Sequence, residues 1–448
     1  MAKIVLIGAG SGFGTRLSID VMCSPLLRNS TLCLCDIHPG RLRFVTDYVR
    51  RTAEKHRIPV RIISGTNRKA LLPGADFVIT SISAGGGAYY GHPYMDEVQI
   101  PRKFGVDQSV ADTCSAGAVF RFLRTGPVQQ QILRDVERFC PDAYVLNHTN
   151  PMAMLTWLHT FGSSVRNVGL CHGVQHTALI FSNAVGVPVD TVRYKVAGIN
   201  HLAWFLEFSR EGEDLYPRIR KIAVDPSLSA DPSFYRHNKV RIEIMKHFGY
   251  FSTESARHDS EYMPYFRRTP EMITEFGLIS PEVRLTPPSS REWEMEGKEG
   301  GPSAEKLVSS QEYTTGIMEG ILTDKPFRFN GNVMNTGLIT NLPLGCCVEV
   351  PCIADSHGIT PGWIGDLPPQ LAALNRSNIA VQELAVKAVL EKDPEAAFHA
   401  CCLDPLTAAV LPLSKIRAMF EELWEAEKQH LLWFDPSYTG DLPETCAE

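Results

Sequence analysis

Short, fully apolar runs separated by stretches of helical spacing dominate the first 170 residues. Residues 4–7 form such a run, the pattern of a strand buried on both faces in a parallel sheet. Gly8, Gly10, Gly12 and Gly14 follow it, and helical spacing then covers residues 17–27. Residues 31–37, 75–83, 143–146 and 168–170 are four further apolar runs, with helical spacing over 41–56 and 128–139 between them. This alternation predicts right-handed crossovers and a Rossmann-like, doubly wound parallel sheet. From about Tyr194 the pattern changes. Residues 196–208 read as one longer strand with His201 inside it, 331–350 resemble sheet, and 380–390 and 414–431 carry strong helical spacing. The expectation is an α/β domain over residues 1–193, followed by a mixed α+β domain over 194–448.

Composition narrows the class. A chain of 448 residues with 44% hydrophobic and 21% charged positions is ordinary globular protein with room for two or three domains. A net charge of −6 without a Lys/Arg-rich run argues against nucleic acid as a partner. No apolar stretch approaches a membrane span. The first apolar run is too short for a secretion signal and leads straight into glycines. The 12 cysteines show no ladder of paired spacings; Cys346–Cys347 and Cys401–Cys402 are adjacent, and Cys33 and Cys35 fall inside a predicted strand. Free thiols in a reducing compartment, the cytoplasm, are the expectation.

The glycines carry the first chemistry. A glycine loop between a strand and a helix lets backbone N–H groups approach a pyrophosphate, and the helix N-terminus adds about half a positive charge. Gly8-Ala9-Gly10-Ser11-Gly12-Phe13-Gly14 sits in that context, with Phe13 standing where a strict G-x-G-x-x-G has its third glycine. Asp36, at the end of the second apolar run, is suited to accept hydrogen bonds from adenosine ribose hydroxyls and disfavours a 2′-phosphate. Gly8, Gly10, Ser11, Gly12, Phe13 and Asp36 are therefore the candidate NAD-binding residues. The bland alternative is a glycine-rich turn beside an exposed acid.

Cys171-His172-Gly173-Val174, Asn150-Pro151 and Gly198-Ile199-Asn200-His201, taken in order after the N-terminal Gly-Ala-Gly-Ser, resemble glycoside hydrolase family 4 over residues 1 to roughly 350. This NAD-dependent family is an exception to two-carboxylate glycoside hydrolysis. The resemblance implies that hydride passes from carbon 3 of the sugar to NAD, giving a ketone that acidifies the hydrogen on carbon 2. A base takes that hydrogen, the leaving group on carbon 1 is eliminated, water adds, and the ketone is reduced again. A divalent metal, usually Mn2+, stabilises the enolate as a Lewis acid.

The same resemblance assigns candidate roles. Cys171 and His201 match the metal ligands, although without it a buried structural cysteine and a core histidine would suit the residues better. His172 stands where some relatives carry an acidic residue, so it is either the acid for the leaving oxygen or a hydrogen-bond partner of a sugar hydroxyl. Tyr262, in the stretch 254–265, matches the base, and needs a nearby cation to ionise readily; packing under a loop is the alternative. Asp112 matches an acid beside that tyrosine, or is a solvated loop acid. Asn150 matches a substrate-binding asparagine, or is a turn asparagine. Arg284 is a substrate-binding candidate or a surface arginine.

Cys-His-Gly-Val resembles the variant associated with α-galacturonidases, which implies hydrolysis of α-linked galacturonic acid from short oligosaccharides. An arginine would suit the uronate, with Arg284, Arg257 and Arg121 as candidates. A family 4 α-galactosidase or α-glucosidase on a neutral sugar, an NAD-dependent 2-hydroxyacid dehydrogenase and a non-enzymatic NAD-binding sensor are the alternatives. The resemblance also implies a homodimer or homotetramer.

Overall fold

A computed structural model describes residues 1–85, 91–279, 306–310 and 312–438. Strands β1 (Lys3–Ile7), β2 (Thr31–Cys35), β3 (Arg61–Gly65), β4 (Phe77–Thr80), β5 (Tyr144–Asn147) and β6 (Arg166–Gly169) run parallel in the order 3-2-1-4-5-6. This is the doubly wound order, and it reverses between β1 and β4, where a crevice opens past the carboxyl ends of the strands. The apolar runs have their cause here: every residue of β4, and all but the first of β1 and of β2, is buried between helix layers. β3 was not among the expected strands. It lies at the sheet edge with Arg61 exposed and the rest half-buried, so its sequence need not be continuously apolar.

The second half of the chain extends this sheet. β7 (Arg193–Ile199), β8 (Leu202–Arg210), β9 (Glu213–Asp214), β10 (Phe327–Met334), β11 (Cys347–Asp355) and β12 (Gly358–Pro361) all belong to it. β10 joins β6 antiparallel through Asn332 and Gly169, and β11, β7, β8 and β9 follow outward. One apolar core runs under both halves, with Ile4 and Leu146 from the first and Trp204, Val348 and Leu371 from the second. A second cluster gathers Phe181, Phe205, Phe208 and Phe251 around the β7–β8 pair. The helices Pro369–Glu391 and Leu413–Glu427 match the spacing read near the C-terminus.

One expectation is corrected. Residues 196–208 are not a single strand: the chain reverses at Asn200-His201, so β7 and β8 form a tight hairpin with Ile199 opposite Leu202. His201 sits at the tip with φ +62°. Gly198 permits the close pairing, since a Cβ there would press on the Ala203 Cα at 2.7 Å. Two apolar half-strands of similar composition hide the turn from a periodicity reading.

The glycine loop opens the helix Gly12–Cys23. Although Phe13 occupies the place of the usual third glycine, Gly14 supplies the close packing, because a Cβ on it would collide with the Ala9 carbonyl oxygen. A Cβ on Gly12, by contrast, would meet nothing within 4 Å. Gly14→Ala is therefore expected to destabilise the protein by about 1–3 kcal/mol, while Gly12→Ala stays within about 0.5 kcal/mol of the parent. Urea denaturation of both variants checks this; equal effects would contradict the packing assigned to Gly14.

Candidate active site

The glycine loop is tied into the sheet from two sides. Gly8 and Ala9 both donate to the Cys35 carbonyl at 2.9 Å, and Ser11 Oγ lies 3.3 Å from Ser81 Oγ. Asp36 Oδ2 accepts the Gly10 N–H at 2.7 Å and Oδ1 the His38 N–H at 2.8 Å. The acid at the end of β2 thus stands against the loop, as the sequence order requires. The space above Gly12 is open at the positive end of the helix. Beside it, Phe13 lies 5.1 Å from the His148 ring, and Arg16 lies 3.5 Å from Glu312.

Cys171 follows β6 by two residues, past the carboxyl edge of the sheet, and His201 reaches it from the hairpin tip. His201 Nε2 stands 3.2 Å from Cys171 Sγ, with both residues buried. The other ring nitrogen, Nδ1, is 3.1 Å from Thr113 Oγ1. When Nδ1 carries the proton and donates to the threonine oxygen, Nε2 keeps its lone pair facing the sulfur. Burial drags the imidazole down to about 4, although Glu254 pulls the other way. Burial, followed by Glu254 and Glu349, pushes the Cys171 thiol well up. A thiol in that setting ionises readily only when a cation compensates.

A second line of residues adjoins this pair. Asn150 Nδ2 donates to Asp112 Oδ2 at 3.0 Å, Asp112 Oδ1 is 3.3 Å from His258 Nε2, and the His258 and His201 ring centroids are 4.6 Å apart. The loop carrying Asp112 is shaped by Glu261, whose carboxylate accepts the backbone N–H groups of Ser109, Val110 and Ala111. Burial opposes charge on Asp112, yet the hydrogen bond and charge of His258 hold its carboxyl well below the usual range. Burial likewise opposes charge on His258, but Asp112, backed by Glu254 and Glu261, lifts it to about 10.

The expected site residues distribute as follows. Cys171, His201, Asp112 and Asn150 converge. Tyr262 is nearby but deep: its hydroxyl bonds Thr113, and burial, then Cys114, push its pKa well above the ordinary value. His172 is half-exposed at the start of the helix Gly173–Val185, its Nδ1 3.6 Å from Glu312. Arg284 lies outside the described residues. Of the other arginines weighed for a uronate, Arg121 is buried in an ion pair with Glu97 at 2.9 Å and Arg257 is exposed on a short helix.

Sequence reasoning missed four residues. Glu254 and His258 lie within the stretch recognised around Tyr262, and their i, i+4 spacing was the available signal. Thr113, which orients His201, adjoins Asp112. Glu312 gave no signal. It is buried between Arg16 at 3.5 Å, His172 at 3.6 Å and His148 at 3.9 Å, so one carboxylate links the glycine-loop helix to the loop after β6.

The buried Asp112–His258 pair generates a pH prediction. The folded pKa of His258 is raised, so its stabilisation is complete below its unfolded value of about 6.5 and fades as pH climbs toward about 10. His258→Gln, studied with a chelator present, is expected to lose about 3–5 kcal/mol at neutral pH, with a smaller loss near pH 10. Denaturation at both pH values measures it; a loss that does not change with pH would contradict a charged pair.

Comparison with known proteins accords with this geometry. The family 4 glycosyl hydrolase pattern matches residues 3–187, and that of the family's C-terminal domain matches 196–407. An α-galactosidase of Bacillus subtilis is 39% identical over 95% of this chain and 98% of its own. An α-galacturonidase of Thermoanaerobacter italicus is 28% identical over 96% and 97%. Among solved structures, a 6-phospho-α-glucosidase from gut microorganisms, in complex with NAD and Mn2+, superposes with a TM-score of 0.78 at 20% identity, over 95% of this chain and 98% of that one. That likeness is one of fold. The alternating strand pattern, the paired Cys171 and His201 and the two sequence matches lead to one assignment: this chain is a member of glycosyl hydrolase family 4.

Proposed function

We propose that the protein is an α-galactosidase that works with NAD and a divalent metal such as Mn2+ on a small saccharide. The observation that carries the reading is the meeting of Cys171 Sγ and His201 Nε2, 3.2 Å apart, with Glu312 tying the loop that carries Cys171 and His172 to the glycine-loop helix. The choice of galactose rests on the 39% identical α-galactosidase. The residues fit both groups. The open space over Gly12 at the helix N-terminus suits a pyrophosphate, and a buried sulfur facing an imidazole lone pair suits a divalent cation. When bound, NAD supplies hydride transfer at carbon 3, and the metal supplies Lewis-acid stabilisation of an enolate.

The chain's own side chains do the rest. Cys171 and His201 hold the cation, with Thr113 fixing the His201 tautomer. Asn150, held by Asp112, binds a sugar hydroxyl. Tyr262 takes the proton from carbon 2; its hydroxyl bonds Thr113, which also touches His201, so a cation there offsets the burial that now keeps the phenol protonated. His172, half-exposed at the mouth, donates to the leaving oxygen. The reading includes a reducing, cytoplasmic setting, since the thiolate must stay unoxidised. Cleavage of α-linked galacturonic acid is the second reading, favoured by Cys171-His172-Gly173-Val174 and by the 28% identical α-galacturonidase. Arg121, already paired with Glu97, is poorly disposed to serve a uronate.

Turnover of aryl α-galactoside is expected to need NAD, Mn2+ and a reducing agent, with no net NADH formed, and to exceed turnover of the α-galacturonide and the α-glucoside. Cys171→Ser is expected to cut it by about a hundredfold or more. A preference for the galacturonide would install the second reading. NADH accumulating in step with product would overturn the glycosidase mechanism.

A further inference from the structure

We propose that Glu254 is a third protein ligand of the divalent cation, completing a sulfur–nitrogen–oxygen set with Cys171 and His201. The inference rests on the metal reading above and extends it to a residue outside the Cys/His pair. Ligand atoms of Cys171, His201 and Glu254 all lie within 4.8 Å of one another. Glu254 Oε1 is 3.8 Å from His201 Nε2, the same nitrogen that faces Cys171 Sγ, so sulfur and carboxylate both face one imidazole nitrogen. Gly173 packs beside both, since a Cβ on it would stand in ordinary van der Waals contact with Cys171 Sγ at 3.5 Å and Glu254 Cγ at 3.6 Å.

The carboxylate is uncommitted where its neighbours are not. Asp112 and His258 also stand near His201, but Asp112 is engaged by Asn150 at 3.0 Å and by His258 at 3.3 Å. Among the described residues, the ion-pair contacts of Glu254 are the longer ones to His201 Nε2 at 3.8 Å and to His258 Nδ1 at 3.9 Å. Its backbone is also held at φ +74°, in the left-handed region that a non-glycine residue seldom adopts. His201 is held at φ +62°. Such backbone strain gathers where a side chain must be aimed.

The chemistry agrees. A thiolate and an imidazole alone form a soft donor pair better suited to zinc, whereas manganese favours oxygen donors and six-coordination. A carboxylate hardens the set. Thiolate plus carboxylate also balances a divalent charge in a buried site, and three protein ligands leave three positions for two sugar oxygens and a water.

The test is Mn2+ affinity of the full-length protein, read by the electron paramagnetic resonance signal of free Mn2+ after chelator treatment and desalting. Glu254→Gln is expected to weaken Mn2+ binding about tenfold or more, with NAD binding and the melting temperature unchanged as folding controls. Glu254→Asp keeps the charge but withdraws the oxygen by one methylene, and is expected to weaken binding as well. Wild-type affinity in Glu254→Asp, or in Glu254→Gln, would overturn the ligand role while leaving the Cys171–His201 site intact. Failure of the parent protein to bind Mn2+, or an unaffected Cys171→Ser, would overturn the metal reading itself.

Discussion

The approach of Cys171 to His201 is the constraint around which the site is organised. The two residues come from different parts of the sheet, one from beyond the end of a parallel strand and one from the tip of an antiparallel hairpin. They meet only because β10 and β11 carry the sheet onward from β6 to β7, placing the hairpin alongside the carboxyl edge. The Asn332–Gly169 junction therefore helps to set where the hairpin tip falls. A Cβ on Gly169 would crowd Met152, Thr156 and Asn332, so the close strand approach at this seam needs a glycine.

Around that pair the protein has buried charge at some energetic disadvantage. Asp112 and Glu261 are buried and Glu254 is half-buried within one small region, and His258 lies 3.3 Å from Asp112 and 3.9 Å from Glu254. Burying carboxylates without compensation would be prohibitive, and here each is answered differently: Asp112 by an imidazolium, Glu261 by three backbone N–H groups, Glu254 by histidines at longer range. The backbone shares the burden. Ala111, Ser115, His201 and Glu254, all in or beside the site, hold positive φ without being glycine.

Much of this was legible in the sequence, for identifiable reasons. Strands buried on both faces must be apolar throughout, so β1, β2, β4, β5 and β6 stood out, while β3 at the edge, with Arg61 in water, escaped. The glycine loop was legible because Gly8 and Gly14 answer to backbone collisions, with Gly14 rather than position 13 meeting the packing demand. Cys171 and His201 were reached through resemblance alone, since no spacing rule connects residues 30 apart on different elements. The hairpin between them was lost because Asn200-His201 lacks the glycine that usually marks a tight turn. Glu312 could not have been found: its role comes from three contacts that only the folded chain assembles.

The bond from the Gly10 N–H to Asp36 bears on how a dinucleotide would be received. With Asp36 also engaging His38, and the Cys35 carbonyl engaging Gly8 and Ala9, the crevice wall is held together by its own hydrogen bonds. A cradle set in advance spares the entropy of ordering a loop at the moment of association. Adenosine would then dock as onto a finished surface, leaving more of the dinucleotide's affinity to hold its nicotinamide end in place.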